Sequence, residues 1–304
     1  MRLVSFDAGK GVRAGIFVED SVLDISAAAA AANLHGVPGS VLELIDGGDV
    51  ALDRVRSLLH QFSADRAAEV WVPITSLRLL APIPRPRKNV FCVGRNYKAH
   101  IEEGARARGV PVSWPTVPEF FSKPPTSVTG PESDIRLDTT LTSQLDYEVE
   151  LALIIGKSCR DVSPSDAMSY VFGYSIINDI SARDLQKRHN QWFKGKGLDT
   201  FCPFGPWIIP SADFGDPSGR QITLRVNGET RQDSNTSDQL FDCATIISVL
   251  SQGLTLEPGD IIATGTPSGV ALGMTPQAWL KDGDVIEAEI EGLGVLRNKV
   301  RAVR

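Results

Sequence analysis

The sequence LDYEVELALIIG, residues 145–156, decides the fold of the larger part of this chain. Its apolar residues predict a buried strand, in which side chains alternate between the two faces. Glu148 and Glu150 therefore lie on the same face, side by side at the head of the strand. Two such carboxylates repel each other unless positive charge lies between them, and a hard divalent cation with oxygen ligands would supply that charge. A solvated strand end with two glutamates of no special role is the alternative.

The next apolar run, YVFGYSIIND, residues 170–179, predicts a second buried strand that ends in an aspartate. A carboxylate at the exit of a buried strand is a good third ligand for a metal ion, and Asp179 has this position. Arg183 and Gln186 follow at helical spacing, on the same face as Asp179. The alternative is that Asp179 caps this helix and pairs with Arg183. Both roles are compatible, because a metal-bound carboxylate needs a polar partner of its own.

Upstream of both strands, the segment VGRNYKAHIEEGA, residues 93–105, carries a histidine three residues before a glutamate. If the segment is helical, His100 and Glu103 face the same way, and the carboxylate can orient an imidazole that acts as a general base. A surface pair without a catalytic role is the alternative on these residues alone.

Two further segments suit an anionic substrate. The sequence KGKG, residues 194–197, offers ammonium groups on a chain that allows close backbone approach. The sequence DIIATGTPSG, residues 260–269, is a strand that leads into a turn whose hydroxyl and backbone N–H groups can hold a carboxylate. The chain lacks the full phosphate-binding pattern G-x-x-x-x-G-K-S/T, a G-x-G-x-x-G after a strand and a G-x-S-x-G elbow. These absences argue against nucleotide binding and against a serine-hydrolase mechanism.

Composition and charge limit the class of protein. The 304 residues are 42% hydrophobic and 22% charged, which is ordinary for a soluble globular protein. A net charge of −6 without a basic tract gives no support for a nucleic-acid partner. The four cysteines are widely spaced without a C-x-x-C pair, which fits a reducing cytoplasm better than a disulfide framework or a zinc cluster. Since the chain also lacks a signal-peptide core and a run of about 20 apolar residues, we expect a cytoplasmic protein without a membrane partner.

The predicted secondary structure changes from mixed helix and strand to mainly strand near residue 80, and two domains are predicted. Residues 1–80 are expected to form a small N-terminal α+β domain: a hairpin to about residue 25, an alanine helix capped by Ser26, and two helices in SVLELIDG and ALDRVRSLLHQF. Residues 81–304 begin with the proline-rich segment PIPRPRKN, which is interpreted as an extended linker, and are predominantly β, giving an α+β class for the whole chain. The predicted strands of this larger domain are NVFCVG, YEVELALIIG, YVFGYSIIND, ITLRVNG, DIIATG and DVIEAEIEG.

Taken together, these stretches resemble the fumarylacetoacetate hydrolase family. The motifs that carry the resemblance occur in the family's order between about residues 89 and 300: VGRNYKAH, FFSKPPTSVTGP, DYEVELALIIG, NDISARDLQ, KGKGLDTFCPFGP, RVNGE and GDIIATGTPSGV. The resemblance implies a mixed β-roll catalytic domain, a homodimer, and Mg²⁺ or Mn²⁺ in the site. One departure is that the family's frequent G-K-S-F-D appears here as GKGLD, residues 195–199, which affects packing around the lysine.

The resemblance also assigns roles to individual residues. The implied metal ligands are Glu148, Glu150 and Asp179, and the implied catalytic residues are His100, Glu103 and Lys196. The expected substrate-binding residues are Arg95, Arg183, Gln186, Gly265 and Thr266. The stretch GARARGVPVSWPTV, which follows Glu103, is expected to be a lid whose Arg106 and Arg108 meet a distal carboxylate of the substrate.

We expect a metal-dependent hydrolase that binds a 2-oxo acid and cleaves the C–C bond of an acylpyruvate such as fumarylpyruvate or maleylpyruvate. In this hypothesis His100 activates the water that attacks the C4 carbonyl. The alternatives share the metal site: an oxaloacetate tautomerase or decarboxylase, an isomerase or decarboxylase of the homoprotocatechuate pathway, or a hydrolase of sugar-derived diketo acids. A non-catalytic metabolite-binding protein would have lost the motifs above, and all of them are present.

Overall fold

The computed structural model describes residues 1–64 and 67–303, and more of them lie in strands than in helices. The strands are β1 (Leu3–Asp7), β2 (Val12–Val18), β3 (Ser21–Asp24), β4 (Trp71–Pro73), β5 (Arg78–Leu80), β6 (Val90–Gly94), β7 (Glu119–Lys123), β8 (Val128–Thr129), β9 (Asp134–Leu137), β10 (Leu145–Asp146), β11 (Val149–Ile155), β12 (Val171–Asn178), β13 (Ser181–Ala182), β14 (Cys202–Pro210), β15 (Gln221–Val226), β16 (Glu229–Asn235), β17 (Ile261–Ala263), β18 (Val285–Ile290) and β19 (Gly294–Ala302). The predicted α+β class with a predominance of β structure is confirmed.

Helices are short except for two. They are α1 (Ile25–Ala31), α2 (Val41–Asp46), α3 (Gly48–Phe62), α4 (Lys98–Arg108), α5 (Pro164–Ala167), α6 (Arg183–Arg188), α7 (Phe193–Lys196), α8 (Ser211–Phe214) and α9 (Cys243–Ser251). Single 3₁₀ turns lie at Ile74–Ser76, Pro125–Ser127, Met168–Tyr170, Thr236–Asp238 and Ala271–Gly273. In the described part of the chain, no helix is both long and apolar enough to cross a membrane.

The order of strands in the largest sheet determines where the site forms. Ten strands follow the order β4-β3-β2-β1-β14-β12-β11-β17-β6-β7, with β5 paired to β1 and β8 to β14. Strand β11 runs antiparallel to β12 and β17, and β17 runs parallel to β6. The start of β11 therefore meets the ends of β12, β17 and β6 at one edge of the sheet. The residues that follow these three ends carry most of the polar motifs of the sequence.

Strands β11 and β12 are buried along their whole length, which explains their continuous apolar sequence. Alternate residues of β11 pack on different layers. Leu151 and Leu153 belong to one core with the second sheet, whereas Ala152 and Ile154 belong to another core with the N-terminal helices. Glu150 shares the face of Ala152, so the carboxylate continues a face that is otherwise apolar.

The second sheet has the order β16-β15-β18-β19-β9. Its hairpin β15–β16 turns at Asn227 and Gly228, which have φ angles of 53° and 80°, as a two-residue type I′ turn requires. Several strands, among them β14, β16 and β19, were not predicted from the sequence. Strand β14 contains three prolines, at positions 203, 206 and 210, and β16 is an edge strand whose polar sequence lacks alternation. Local sequence signals fail in both cases, because neighbouring strands rather than intrinsic propensity fix these segments.

The N-terminal segment differs from its prediction in two respects. First, a third strand, β3, extends the predicted hairpin, and β1 pairs with β14, so these strands continue the large sheet. Second, Ser26 is not the cap of α1. Asp24 is the cap, because the chain is already helical at Ile25, and its carboxylate accepts the backbone N–H groups of Ser26 and Ala27 at 3.1 and 3.2 Å. The division into domains at residues 80 and 81 stays a prediction.

Candidate active site

Three carboxylates meet where β11 begins and β12 ends. Val149 pairs with Asn178 across the two strands, so Glu148 and Asp179 are neighbours, and the backbone N–H of Asp179 donates to the Glu148 carbonyl at 2.8 Å. Glu148, Glu150 and Asp179 are all buried, and carboxylate oxygens of the three lie within 4.8 Å of one another. Oxygen-only donor sets of this kind suit hard divalent cations. The three carboxylates form a buried cluster that can hold the predicted divalent ion, and their individual roles as ligands stay predictions.

Positive side chains surround this carboxylate cluster. The Nζ atom of Lys196 lies 2.7 Å from Oε2 of Glu148 and 2.6 Å from Oδ2 of Asp179. The Nη2 atom of Arg183 lies 2.6 Å from Oε1 of Glu148. An ammonium group that bridges two of the three carboxylates demonstrates that the cluster accommodates positive charge at this place, which fits the metal ion that the donor set implies.

Lys123 is a further positive group that the sequence analysis did not single out. It is fully buried at the end of β7, where Nζ contacts Oδ1 of Asp179 and the carbonyl of Lys196, and donates to the carbonyl of Ile180 at 3.1 Å. The signal that could have found it is a lone lysine after the apolar pair of FFSK, since a buried lysine needs an anionic partner.

The pKa values of the cluster reflect this arrangement of charges. Burial acts to raise the pKa of Glu148, but the charges of Lys196 and Arg183 outweigh it and hold that pKa below its ordinary value. For Glu150, burial followed by the charges of Asp179 and Glu148 raises the pKa well above its ordinary value. Glu150 accepts one hydrogen bond, of 2.7 Å from the backbone N–H of Gly265, within the described chain. It is therefore the carboxylate of the cluster that most lacks positive charge.

A cavity of about 700 Å³ opens onto the cluster. The predicted site residues that line it are Arg95, His100, Arg108, Glu148, Glu150, Arg183, Gln186, Lys196 and Thr266. Apolar side chains, among them Phe121, Trp192 and Leu272, form much of the remaining wall. Asp179, Glu103 and Gly265 lie behind this lining, and Arg106 is exposed on α4 outside it. The structure thus brings residues from four distant parts of the sequence to one cavity.

The predicted pair of His100 and Glu103 lies on α4, as the helical spacing required. The Nδ1 atom of His100 is 3.3 Å from Oε2 of Glu103, and Oε1 of Glu103 accepts the backbone N–H of Gly269 at 2.9 Å. The imidazole thus faces the cavity while its partner carboxylate is buried behind it. The predicted lid is partly helical: its first five residues belong to α4, and Gly109 ends the helix in the left-handed conformation.

The predicted substrate-binding residues are held by other parts of the chain. The Nε atom of Arg183 donates to Oδ2 of buried Asp146 at 2.8 Å, and its Nη1 atom donates to Oε1 of Gln186 at 3.1 Å. Asp146, which the sequence analysis did not single out, also accepts the backbone N–H of Ala271 at 2.8 Å. It therefore joins Arg183 to the loop that holds Glu103.

Two other predicted substrate-binding residues form hydrogen bonds within the protein. The hydroxyl of Thr266 donates to the carbonyl of Val149 at 2.9 Å and accepts from Nε2 of Gln232 at 2.8 Å. At the far side of the cavity, the Nε atom of Arg95 donates to Oε2 of Glu119 at 2.9 Å. Both residues line the cavity, and their substrate-binding roles stay predictions.

Comparison with known proteins agrees with this geometry. The family model for the C-terminal part of fumarylacetoacetate (FAA) hydrolase matches residues 89–301. The oxaloacetate tautomerase YisK of Bacillus subtilis (strain 168) is 43% identical over 291 residues, which are 94% of this chain and 95% of that protein. A solved fumarylacetoacetate hydrolase from Exiguobacterium antarcticum has a TM-score of 0.80 at 43% identity and covers 99% of both chains.

A second solved structure is informative about the site. Maleylpyruvate hydrolase from Sphingobium sp. SYK-6, in complex with manganese(II) ion and pyruvate, has a TM-score of 0.77 at 31% identity over 100% of both chains. The family predicted from the sequence motifs is thereby confirmed, and the chain belongs to the fumarylacetoacetate hydrolase family.

Proposed function

We propose that this protein is a metal-dependent tautomerase of a 2-oxo dicarboxylic acid, with oxaloacetate as its substrate. The observation that carries the proposal is the meeting of His100 and the carboxylate cluster in one cavity. Interconversion of a keto and an enol form requires a base beside the α-carbon and positive charge beside the carbonyl oxygen. The similarity to the tautomerase YisK over nearly the whole chain supports this reaction.

Glu148, Glu150 and Asp179 would hold Mg²⁺ or Mn²⁺, and the manganese in the related maleylpyruvate hydrolase supports this choice. A bound divalent ion would polarise the 2-oxo group and its neighbouring carboxylate. Lys196 and Arg183 add fixed positive charge at the same wall of the cavity. Burial lowers the pKa of Lys196, but the charges of Asp179 and Glu148 outweigh it and raise that pKa, so the ammonium form is held.

The proton transfers are assigned to His100 and Glu103 on α4. His100 takes a proton from C3 of the substrate, and the electron pair of the broken C–H bond forms the C2–C3 double bond as the oxygen on C2 becomes negative. Return of the same proton to that oxygen completes the enol, so no water is consumed and no carbon–carbon bond breaks. Glu103 keeps the imidazole oriented while it holds the proton.

Hydrolysis of an acylpyruvate is the second candidate, supported by the related maleylpyruvate hydrolase. It uses the same base to activate a water molecule and needs a C4 carbonyl for that water to attack. The predicted homodimer, which sedimentation of the purified protein would test, is part of either proposal.

One experiment separates the two reactions. Metal-stripped protein is incubated with oxaloacetate, maleylpyruvate, fumarylpyruvate and acetylpyruvate, each with and without Mg²⁺ or Mn²⁺, and products are identified by NMR. We expect metal-dependent keto–enol exchange of oxaloacetate without release of a second acid. Release of pyruvate plus a carboxylic acid, with no acceleration of exchange, would overturn the tautomerase proposal in favour of hydrolysis.

A further inference from the structure

A second cavity, of about 380 Å³, lies at the N-terminal end of α9. Its lining shares no residue with that of the large cavity. The lining residues are Met168, Tyr174, Gly215, Asp216, Pro217, Ser218, Thr236, Ser237, Gln239, Asp242, Cys243 and Ala244. Its floor is buried and its rim, including both aspartates, is exposed, so a small molecule can enter from solvent.

Tyr174 presents an unpaired hydroxyl to this cavity. The residue is 2% exposed, and its ring packs against Phe214 with centroids 5.0 Å apart. Within residues 1–64 and 67–303 its hydroxyl has no hydrogen-bond partner, and it lies close to Asp216 and Cys243 on the cavity wall. Burial, followed by these two groups, raises the pKa of Tyr174, so the hydroxyl keeps its proton and remains a donor. The hydroxyl is accessible from the cavity, so an acceptor on a ligand can take its hydrogen bond.

The rim of the cavity is negatively charged. Asp216 and Asp242 each use one carboxylate oxygen locally, accepting the backbone N–H groups of Ser218 at 2.9 Å and Thr245 at 2.8 Å. Their second oxygens accept no hydrogen bond from the described residues, and the lining contains no lysine, arginine or histidine. Because Asp242 already caps α9, the helix end does not offer a site for an anion. A cation is therefore the favoured occupant.

We propose that this second cavity binds a small amino alcohol. The ammonium group pairs with Asp216 and Asp242 at the rim, and a hydroxyl oxygen accepts the hydrogen bond of Tyr174 at the floor. The carbon chain between them lies against the apolar side chains of Met168 and Pro217. The site is separate from the proposed catalytic centre and does not depend on the reaction assigned to it.

The test uses three probes of equal chain length with the full-length protein. The probes are 4-amino-1-butanol, butylamine, which lacks the hydroxyl, and 1,4-butanediol, which lacks the charge. Binding is measured by saturation-transfer NMR titration. We expect 4-amino-1-butanol to bind most tightly, with each simpler probe weaker by about threefold to tenfold, the worth of one hydrogen bond or partly exposed ion pair.

Two variants identify the site. Tyr174→Phe keeps the ring and should weaken 4-amino-1-butanol while leaving butylamine unchanged. Asp216→Asn should weaken both amines and leave butanediol unchanged. Tyr170→Phe, which alters a tyrosine outside the cavity, is the matched control and should change nothing. Absence of saturable binding, equal binding of all three probes, or binding that neither variant at the cavity alters would overturn the proposal. The last result would place the amine at another cluster of carboxylates.

Discussion

The backbone N–H of Gly269 donates a hydrogen bond of 2.9 Å to Oε1 of Glu103, which fixes the carboxylate from the side opposite His100. The loop that follows β17 thus holds the residue that orients the proposed base. The same loop is anchored from below, because Asp146 accepts the backbone N–H of Ala271 and the hydroxyl of Tyr147 donates to the carbonyl of Gly269 at 3.1 Å. The position of the imidazole therefore depends on residues that never touch the cavity.

Gly273→Ala tests this dependence. A Cβ atom at position 273 would lie 2.2–2.3 Å from side-chain atoms of Glu103, so the carboxylate that contacts His100 must move. We expect kcat for oxaloacetate to fall at least about tenfold, which is part of the ~10²–10⁴-fold contribution of a positioned general base. Manganese affinity should stay near that of the wild type, because the three carboxylates proposed to hold the ion lie on other segments of the chain.

Gly39→Ala is the matched control for this substitution. An added Cβ atom there meets only ordinary contacts, at 3.8 Å from Glu43 and Ser26, far from the site. It should leave kcat unchanged. A Gly273→Ala enzyme with wild-type kcat would show that Glu103 tolerates displacement and that its orienting role is wrong.

The raised pKa of Glu150 predicts a pH-dependent stability. The ordinary pKa of a glutamate is 4.5. At pH values above this, burial and the charges of Asp179 and Glu148 keep Glu150 protonated in the metal-free folded protein, whereas the unfolded chain loses this proton. The folded state then binds more protons, so its free energy of unfolding falls as pH rises above 4.5, by at most about 1.4 kcal/mol per pH unit. Glu148, with its lowered pKa, contributes the opposite slope only below 4.5.

Urea denaturation of the metal-free protein at several pH values above 4.5 measures this decline in the free energy of unfolding. Glu150→Gln removes the titrating group and should flatten the decline, while Glu102→Gln, at an exposed position of α4, should leave it as in the wild type. Since metal binding must release the proton of Glu150, manganese affinity of the wild type should also rise with pH. A slope that is identical in wild type and Glu150→Gln would contradict the assignment.

The comparison of sequence and structure explains which residues could be found in advance. Glu148, Glu150 and Asp179 were predictable, because two consecutive apolar runs form adjacent antiparallel strands whose polar ends must meet. Asp146 and Lys123 were not, since their importance comes from burial and from partners far along the chain. The pairing of Asp146 with Arg183 spans 37 residues, and the pairing of Lys123 with Asp179 spans 56.

Lys123→Met tests the importance of the lysine that sequence reasoning missed. The substitution leaves the buried charge of Asp179 without one of its partners and the carbonyls of Ile180 and Lys196 without a donor. We expect the metal-free protein to lose about 3–5 kcal/mol in free energy of unfolding, the usual result of breaking a buried ion pair. Saturating Mn²⁺ should reduce this loss, because the ion would compensate the same carboxylate.

Lys157→Met is the control, since Lys157 is exposed on the turn after β11. Its free energy of unfolding should remain within about 0.5 kcal/mol of the wild type. If Lys123→Met changed the free energy of unfolding as little as Lys157→Met, Lys196 alone would have to compensate the buried charge of Asp179.

Arg106 and Arg108 lie two residues apart on α4. Of these two arginines, Arg108 lines the large cavity and Arg106 does not. Burial, followed by the charges of Arg95 and Arg183, lowers the pKa of Arg108, because positive groups crowd this part of the cavity. A second carboxylate on the substrate would relieve this crowding, which supports a dicarboxylic acid as the substrate. Arg108→Ala should therefore lower kcat/KM for oxaloacetate by about tenfold to a hundredfold, the worth of a charge-assisted hydrogen bond.

The methyl ester of the distal carboxylate of oxaloacetate separates recognition from catalysis. Wild type and Arg108→Ala should process this ester at similar rates, because it lacks the charge that Arg108 is proposed to bind. Arg106→Ala, which removes the same charge from the same helix outside the cavity, should retain wild-type kcat/KM for both substrates. If Arg108→Ala lowered kcat/KM equally for oxaloacetate and its ester, Arg108 would support the helix rather than bind the substrate. If Arg106→Ala lowered kcat/KM as much as Arg108→Ala, both arginines would act only through a general electrostatic effect.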